Sequence, residues 1–469
     1  MGRKEEFENA KNLLQSNFNE GWSIILSLAE SDYEEAMEYI ALCYYRGDGV
    51  AMDEPKAYQW FQRIVRLYPE NGFIWNKLAD CYCYGYGVPK DHNEAINYYK
   101  KAWDNGIADA GTDIGWIYSF GEIENHNDMT AAKWFQRAAD KGSPQGMYFL
   151  GYFYDEGYGG LPISEKMSAK YLRMAADRDN YSAIRYLLCK KCYGNNEEFE
   201  RLRKKLFEMA NDGDDRAQNA LGYAYLYGEG WDSAFGLDKD PVESQKWFEK
   251  SANQGNVDSI YQLGKNLLDY DSGYGIDVDQ GEKYLLSAAE KGKDDSYYEL
   301  YRLYKWTKSD VQKALYWGEK AVDNGNSFLA HDIAQIYFTG DGVQVDYDKA
   351  ASFYLKCIKE DMEDVQSNLS CLPLAKCYLL SNQQSEQKYK DAYVYLGLAM
   401  DAANEKEYCT SQKAEIEYWI AYMLDNGLGI QSNLEEAFRH YSKSAELGFE
   451  KSAEEIKHFK KTLFGWKKI

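Results

Sequence analysis

A helix-sized phrase ending in a Gly-x-Gly turn returns along nearly the whole chain. It reads IALCYYRGDGV at 40–50, LADCYCYGYGV at 78–88, LGYFYDEGYG at 150–159, LGYAYLYGEG at 221–230, IAQIYFTGDGV at 333–343 and IAYMLDNGLGI at 420–430. The first glycines of these turns, Gly47, Gly85, Gly121 and Gly157, lie 36 to 38 residues apart, and later gaps fit two units each. Self-similarity at such a period marks a solenoid of helical hairpins, in which each unit buries its apolar face only against its neighbours. Counting degenerate copies, the spacing predicts about eleven units.

A second helix follows each turn, as in KAYQWFQRIV (56–65), AAKWFQRAAD (131–140), SQKWFEKSAN (244–253) and KALYWGEKAV (313–322). A small residue leads an aromatic by three positions: Ala57 with Trp60, Ala131 with Trp134, Ala314 with Trp317. The spacing is that of one buried helix stripe, with the aromatic expected to fill the gap that the small residue leaves. Asp53, Asp91, Ser164 and Asp346 stand where N-caps are wanted. Glycines such as Gly106 and Gly142 stand where these helices should end.

Leu221, Gly222, Tyr225, Gly228 and Gly230, with Trp247, Phe248, Ala252 and Gly255, carry a recognisable pattern. It resembles the Sel-one-like repeat, a relative of the tetratricopeptide repeat. The resemblance implies an all-α, right-handed α/α superhelical solenoid that holds proteins together. It spans roughly 33–448 and weakens near 181–213, 294–325 and 363–404. The chain is therefore expected to form one elongated domain. Residues 1–32 would supply N-terminal capping helices, and 449–469 a C-terminal capping helix with a basic tail.

The formal net charge of −22 speaks against a nucleic-acid partner, because a polyanion repels phosphate backbones. Two short basic runs stand out, Arg201–Lys205 and a tail with Lys457, Lys460, Lys461, Lys467 and Lys468 around Phe464 and Trp466. They read either as solvated helix faces or, for the tail, as a dock for an acidic partner or membrane surface. The nine cysteines do not recur with the repeat, so no disulfide ladder is expected. The first residues lack the apolar core of a secretory signal, and no stretch has the length of a membrane span. Reduced and cytoplasmic is the expected setting, although an exported chain without such signals would read the same.

Motifs that carry chemistry are weak. Cys189 and Cys192 form a C-x-x-C with no second pair or histidines at ligand spacing. The run from Asp277 to Glu282 lacks the later oxygen ligands of a calcium loop. His440 occupies a packing position of its repeat. The Gly-x-Gly turns follow helices and lack the rest of a nucleotide loop. No cofactor, metal or catalytic residue is assigned, and a non-enzymatic chain is expected.

The tetratricopeptide resemblance also implies a register. With the small residue of the first helix at position eight, groove-facing positions nine, five and thirteen map rings onto one wall. Trp116, Tyr152, Tyr223 and Tyr422 fall at nine, Tyr148, Tyr261, Tyr298 and Tyr418 at five, and Tyr84, Phe120, Tyr193 and Tyr227 at thirteen. The best partner-binding candidates are Trp116, Phe120, Tyr148, Tyr152, Tyr223, Tyr227 and Tyr261. Asn76, Asn219, Glu38, Asp80, Asp155 and Glu156 lie between them. The expected role is a scaffold or adaptor holding a peptide or protein along its concave face. The alternative is a regulator or immunity-type protein that sequesters one folded target.

Overall fold

The computed structural model describes residues 2–121, 123, 126–228, 235–360, 365–404, 409–462 and 465–469. Where the repeats alone suggest one elongated domain, the backbone divides into two compact units, Met1–Asp240 and Pro241–Ile469. The first unit opens with α1 (Arg3–Leu13) and α2 (Phe18–Glu30). Its hairpins are α3 (Glu34–Arg46) with α4 (Glu54–Leu67), α5 (Gly72–Tyr84) with α6 (His92–Asp104), and α7 (Ala108–Phe120) with α8 (Asp128–Asp140). Then come α9 (Pro144–Glu156) with α10 (Glu165–Ala176), α11 (Tyr181–Cys189) with α12 (Asn196–Asn211), and a single α13 (Asp215–Tyr227).

The second unit begins with α14 (Pro241–Asn253). Its hairpins are α15 (Val257–Asn266) with α16 (Val278–Glu290), α17 (Asp295–Arg302) with α18 (Val311–Asp323), and α19 (Phe328–Thr339) with α20 (Tyr347–Glu360). They continue with α21 (Val365–Leu380) and α22 (Glu386–Asn404), then α23 (Thr410–Asn426) and α24 (Leu434–Glu446). The short α25 (Glu450–Ile456) and strands β1 (Phe459–Thr462) and β2 (Gly465–Lys468) finish the chain. Within each unit every helix packs on its chain neighbour, the pattern of an all-α hairpin solenoid.

Local chemistry explains the helix boundaries. Asp53, Asp91, Ser164 and Asp346 each accept a backbone N–H of the following first turn, as expected of N-caps. Asp277 does the same for α16, which accounts for the apparent calcium loop. All three degenerate stretches still form helix pairs. In α12, Leu202 and Leu206 fill the core in place of an aromatic, and α17 runs into a π-helical turn at Leu303–Thr307.

The second glycine of some turns has a further duty. A Cβ on Gly87 would lie 2.5 Å from the Glu54 carbonyl oxygen at the start of α4, and one on Gly159 would lie 2.5 Å from that of Asp128 at the start of α8. At these two turns successive hairpins therefore touch backbone to backbone. Gly87 and Gly275 share a left-handed φ, +72° and +82°, but Gly275 has open space around it. Gly275→Ala is expected to cost about 1 kcal/mol, the left-handed penalty alone, and Gly87→Ala about 3 kcal/mol. Denaturant midpoints of the two variants test this, and equal losses would remove the close approach as the reason for the motif.

Two expectations need correction. In the second helices, the residue four places after the small one is the core residue. Phe61 and Phe135 are fully buried, whereas Trp60, Trp134 and Trp317 are half-buried. The stripe thus runs one residue later than the tryptophans suggest. The C-terminal segment is also not one helix: after Ile456 it forms the antiparallel β1–β2 pair, with Lys461 opposite Trp466. Phe, Thr and Trp favour strands, and the hairpin is held by rings beneath it. Trp466 stacks 4.2 Å from Phe438, and Phe459 packs edge-on to Tyr441 at 5.8 Å. Lys468 pairs with Asp425, so part of the basic tail is engaged by the chain itself. Phe464 lies outside the described residues, as do 230–234 of the insertion at 230–241.

Candidate partner-binding face

Helical spacing places the candidate rings in pairs one turn apart: Trp116 with Phe120 on α7, Tyr148 with Tyr152 on α9, Tyr223 with Tyr227 on α13. Core positions of the same helices, Ile114, Leu150 and Leu221, are buried. None of the seven candidates is fully buried, though Trp116 and Tyr261 pack against the core. Phe120 and Tyr227 are 46% and 48% exposed, and the other five are half-buried.

The structure joins four of them into one array. Trp116 lies 6.2 Å from Phe120, which lies 6.3 Å from Phe149. Tyr148 packs on Phe149 at 5.2 Å, and Tyr186 of α11 meets both Tyr148 and Tyr152 edge-on at 6.3 and 6.1 Å. Rings thus continue across three successive first helices. Tyr223 and Tyr227 stack on each other at 6.3 Å on α13. Tyr261 belongs to the second unit, where Lys293 Nζ sits 5.6 Å over its ring. Phe149 and Tyr186 escaped the register argument, because the first is off-register and the second stands in the degenerate repeat.

Carboxylates interleave with the rings. Asp155 accepts from Tyr186 Oη at 2.7 Å and pairs with Lys190 at 2.8 Å. Asp80 accepts from Tyr99 Oη at 2.9 Å and pairs with Lys77 at 2.7 Å. Asn71 reaches back to Glu34 and Glu38, and burial pushes the Glu38 carboxyl above its usual range. Asp113 is the most perturbed. Burial, then the nearby charges of Asp80 and Asp109, push its carboxyl up to about 8 against a weaker opposing pull from Lys77.

Features that could carry chemistry are otherwise engaged in structure. Burial pushes the Cys81 and Cys377 thiols up to about 12, the opposite of a nucleophile's requirement. His440 Nδ1 lies 2.5 Å from the buried Glu417, which also pairs with Lys443. Cys189 is half-buried, and the Cys192 side chain is outside the described residues. Among the described residues no group of three or more His, Cys, Asp or Glu could hold a metal ion. A cavity of about 890 Å³ at the turn edge of the second unit holds Asp346, Asp348 and Lys349. Asp346 caps α20, Asp348 pairs with Lys388, and Lys349 with Glu319. No described helix is long and apolar enough to cross a membrane.

The chain is similar to several known proteins. The chain is 23% identical over 296 residues to the Saccharomyces cerevisiae chitin synthase regulator SKT5, covering 52% of the chain and 41% of that protein. It is 26% identical over 171 residues to the Escherichia coli Sel1-repeat-containing protein YjcO, covering 36% of the chain and 69% of YjcO. Among solved structures, c5321, a protective antigen of uropathogenic E. coli with an SLR fold, aligns over 93% of this chain and 81% of its own at 22% identity and a TM-score of 0.37. The Sel1 repeat matches residues 34–67, 76–107, 108–143, 144–180, 215–256, 257–293, 297–326, 328–359 and 414–449. With these nine repeats over well over half of its length, the chain belongs to the Sel1 repeat family.

Proposed function

We propose that the chain is a non-enzymatic scaffold or adaptor that binds a peptide or protein partner along the first-helix face of its hairpins, in the cytoplasm. The observation that carries this reading is the continuous, partly exposed ring array from Trp116 to Tyr186. Large rings with polar tips are the anchors that adaptable protein surfaces use. Repeat solenoids offer such extended surfaces, whereas catalysis would ask for convergent titratable groups in an enclosed site. Regulation of another protein, as the name of the yeast relative describes, is one use of a binding face of this kind.

Affinity capture from the native host, followed by binding measurements with the captured partner, tests the reading. Tyr152→Ala with Tyr223→Ala is expected to weaken that binding by about 2 kcal/mol or more with little change in melting temperature. A loss of thermal stability that matches the loss of affinity would return both tyrosines to a packing role. Peptides cut from the partner should bind by themselves if the chain is a scaffold. A requirement for the whole folded partner would favour a sequestering regulator instead.

A further inference from the structure

The first and second helices of the hairpins differ in charge. In α3, α5, α7 and α9 eight carboxylates stand against two cations. In α4, α6, α8 and α10 ten cations stand against six carboxylates. The second helices thus form a basic flank on a chain of net charge −22.

On that flank the C-terminal ends of α6 and α8 share one cluster of rings and cations. Trp103 of α6 and Trp134 of α8 meet edge-on at 5.5 Å. The Arg137 guanidinium lies 4.0 Å over the Trp134 ring and 5.2 Å from that of Trp103. Lys141 Nζ lies 4.0 Å over Trp103 and donates to its carbonyl oxygen at 2.8 Å. Both cations therefore gather on one indole, no further apart than their two distances to it combined. Lys101, two residues before Trp103, sits 4.3 Å over Trp75. The three cations are exposed, and Trp103 and Trp134 are half-buried beneath them.

Among the described residues no carboxylate pairs with Lys101, Arg137 or Lys141. Asp140, between the last two in sequence, accepts from Gln136 at 2.8 Å instead. Arg63, which lies 5.2 Å over Trp60 at the matching place of α4, is neutralised by Asp32 at 2.6 Å. Like charges four residues apart repel, so Arg137 and Lys141 oppose one another. The indoles and the helix C-terminus hold them together. A guanidinium stacked by its face keeps its N–H edge for an anion, and Lys141 keeps two of its three donors.

We propose that Arg137 and Lys141, with Lys101 extending the site, receive the carboxylates of an acidic segment of a protein partner. Charge complementarity selects this occupant, and the guanidinium edge matches a carboxylate's two oxygens. The site lies on the second helices and does not depend on the ring array of the first. A partner held here leaves that array free for another.

The test uses the full chain and short labelled peptides of Gly and Ser bearing two aspartates, with serine-only, lysine-bearing and phosphoserine-bearing controls. A chain of net charge −22 repels anions as a whole, so bulk attraction cannot make the aspartate peptide bind. Fluorescence anisotropy is expected to show that peptide bound, and bound less tightly as salt rises. Arg137→Gln with Lys141→Gln should weaken it at least tenfold, and Arg137→Glu alone should abolish it. Lys204→Gln, at an exposed cation of α12, should change it little. Failure of the aspartate peptide to bind would overturn the site and leave both cations as helix-end and ring-packing groups. Equal weakening by Lys204→Gln would overturn it too, as would binding of the phosphoserine peptide alone. Salt-dependent self-association that the double variant abolishes, without peptide binding, would replace the partner by a second copy of this chain. None of these outcomes alters the result expected for Tyr152→Ala with Tyr223→Ala, so the two readings fail separately.

Discussion

Phe135→Ala is expected to cost about 3–5 kcal/mol, with the loss concentrated in the hairpins around it. The ring is fully buried on α8, stacks on Phe149 at 4.9 Å and meets Phe153 edge-on at 5.0 Å. It also fills the space over Gly115, where an added Cβ would lie 2.6 Å from the ring. Three helices therefore share one side chain, and a glycine on one of them cannot swell to close the hole. The neighbouring Trp134→Ala should cost about 1 kcal/mol, because Trp134 is half-exposed and held mainly by Trp103 at 5.5 Å and Arg137 at 4.0 Å. Urea unfolding, with hydrogen exchange to locate the weakened hairpins, separates the two. A larger loss for Trp134 would reverse the phase assigned to the second helices.

Asp113→Asn is expected to make the protein more stable at high pH. The unfolded carboxyl ionises near its ordinary value, whereas the folded one does so at about 8. Between those values the folded state holds the extra proton, so stability falls as pH rises and the full penalty is present above about pH 8. For a shift of this size the penalty is of order 5 kcal/mol at most. The asparagine variant should match wild type near pH 4 and exceed it increasingly up to about pH 8. Parallel stability–pH curves for the two proteins would show that Asp113 is ionised in the folded state throughout.

Much of the hairpin architecture was readable from residues alone, because its signals are local. An N-cap such as Asp91 acts within three residues, and the Trp116–Phe120 and Tyr148–Tyr152 pairs need only helical spacing. The phase of the second helices was hidden by doublets. In Trp60-Phe61 and Trp134-Phe135 either ring fits the periodicity, and only the facing glycines and alanines choose between them. Asp113 could not be singled out, because its environment comes from Asp80 in the preceding repeat. The C-terminal strands were invisible for the same reason, since Phe438 and Tyr441 hold them in place. The division into two units leaves no mark in the repeat phrase itself.

The unequal sharing of charge between α3, α5, α7, α9 and their partner helices gives the first unit an electrical polarity across its thickness. A positively charged visitor would be drawn toward one flank before any contact forms. Ionic strength should then act chiefly on how fast such complexes would assemble, and much less on how long they would last.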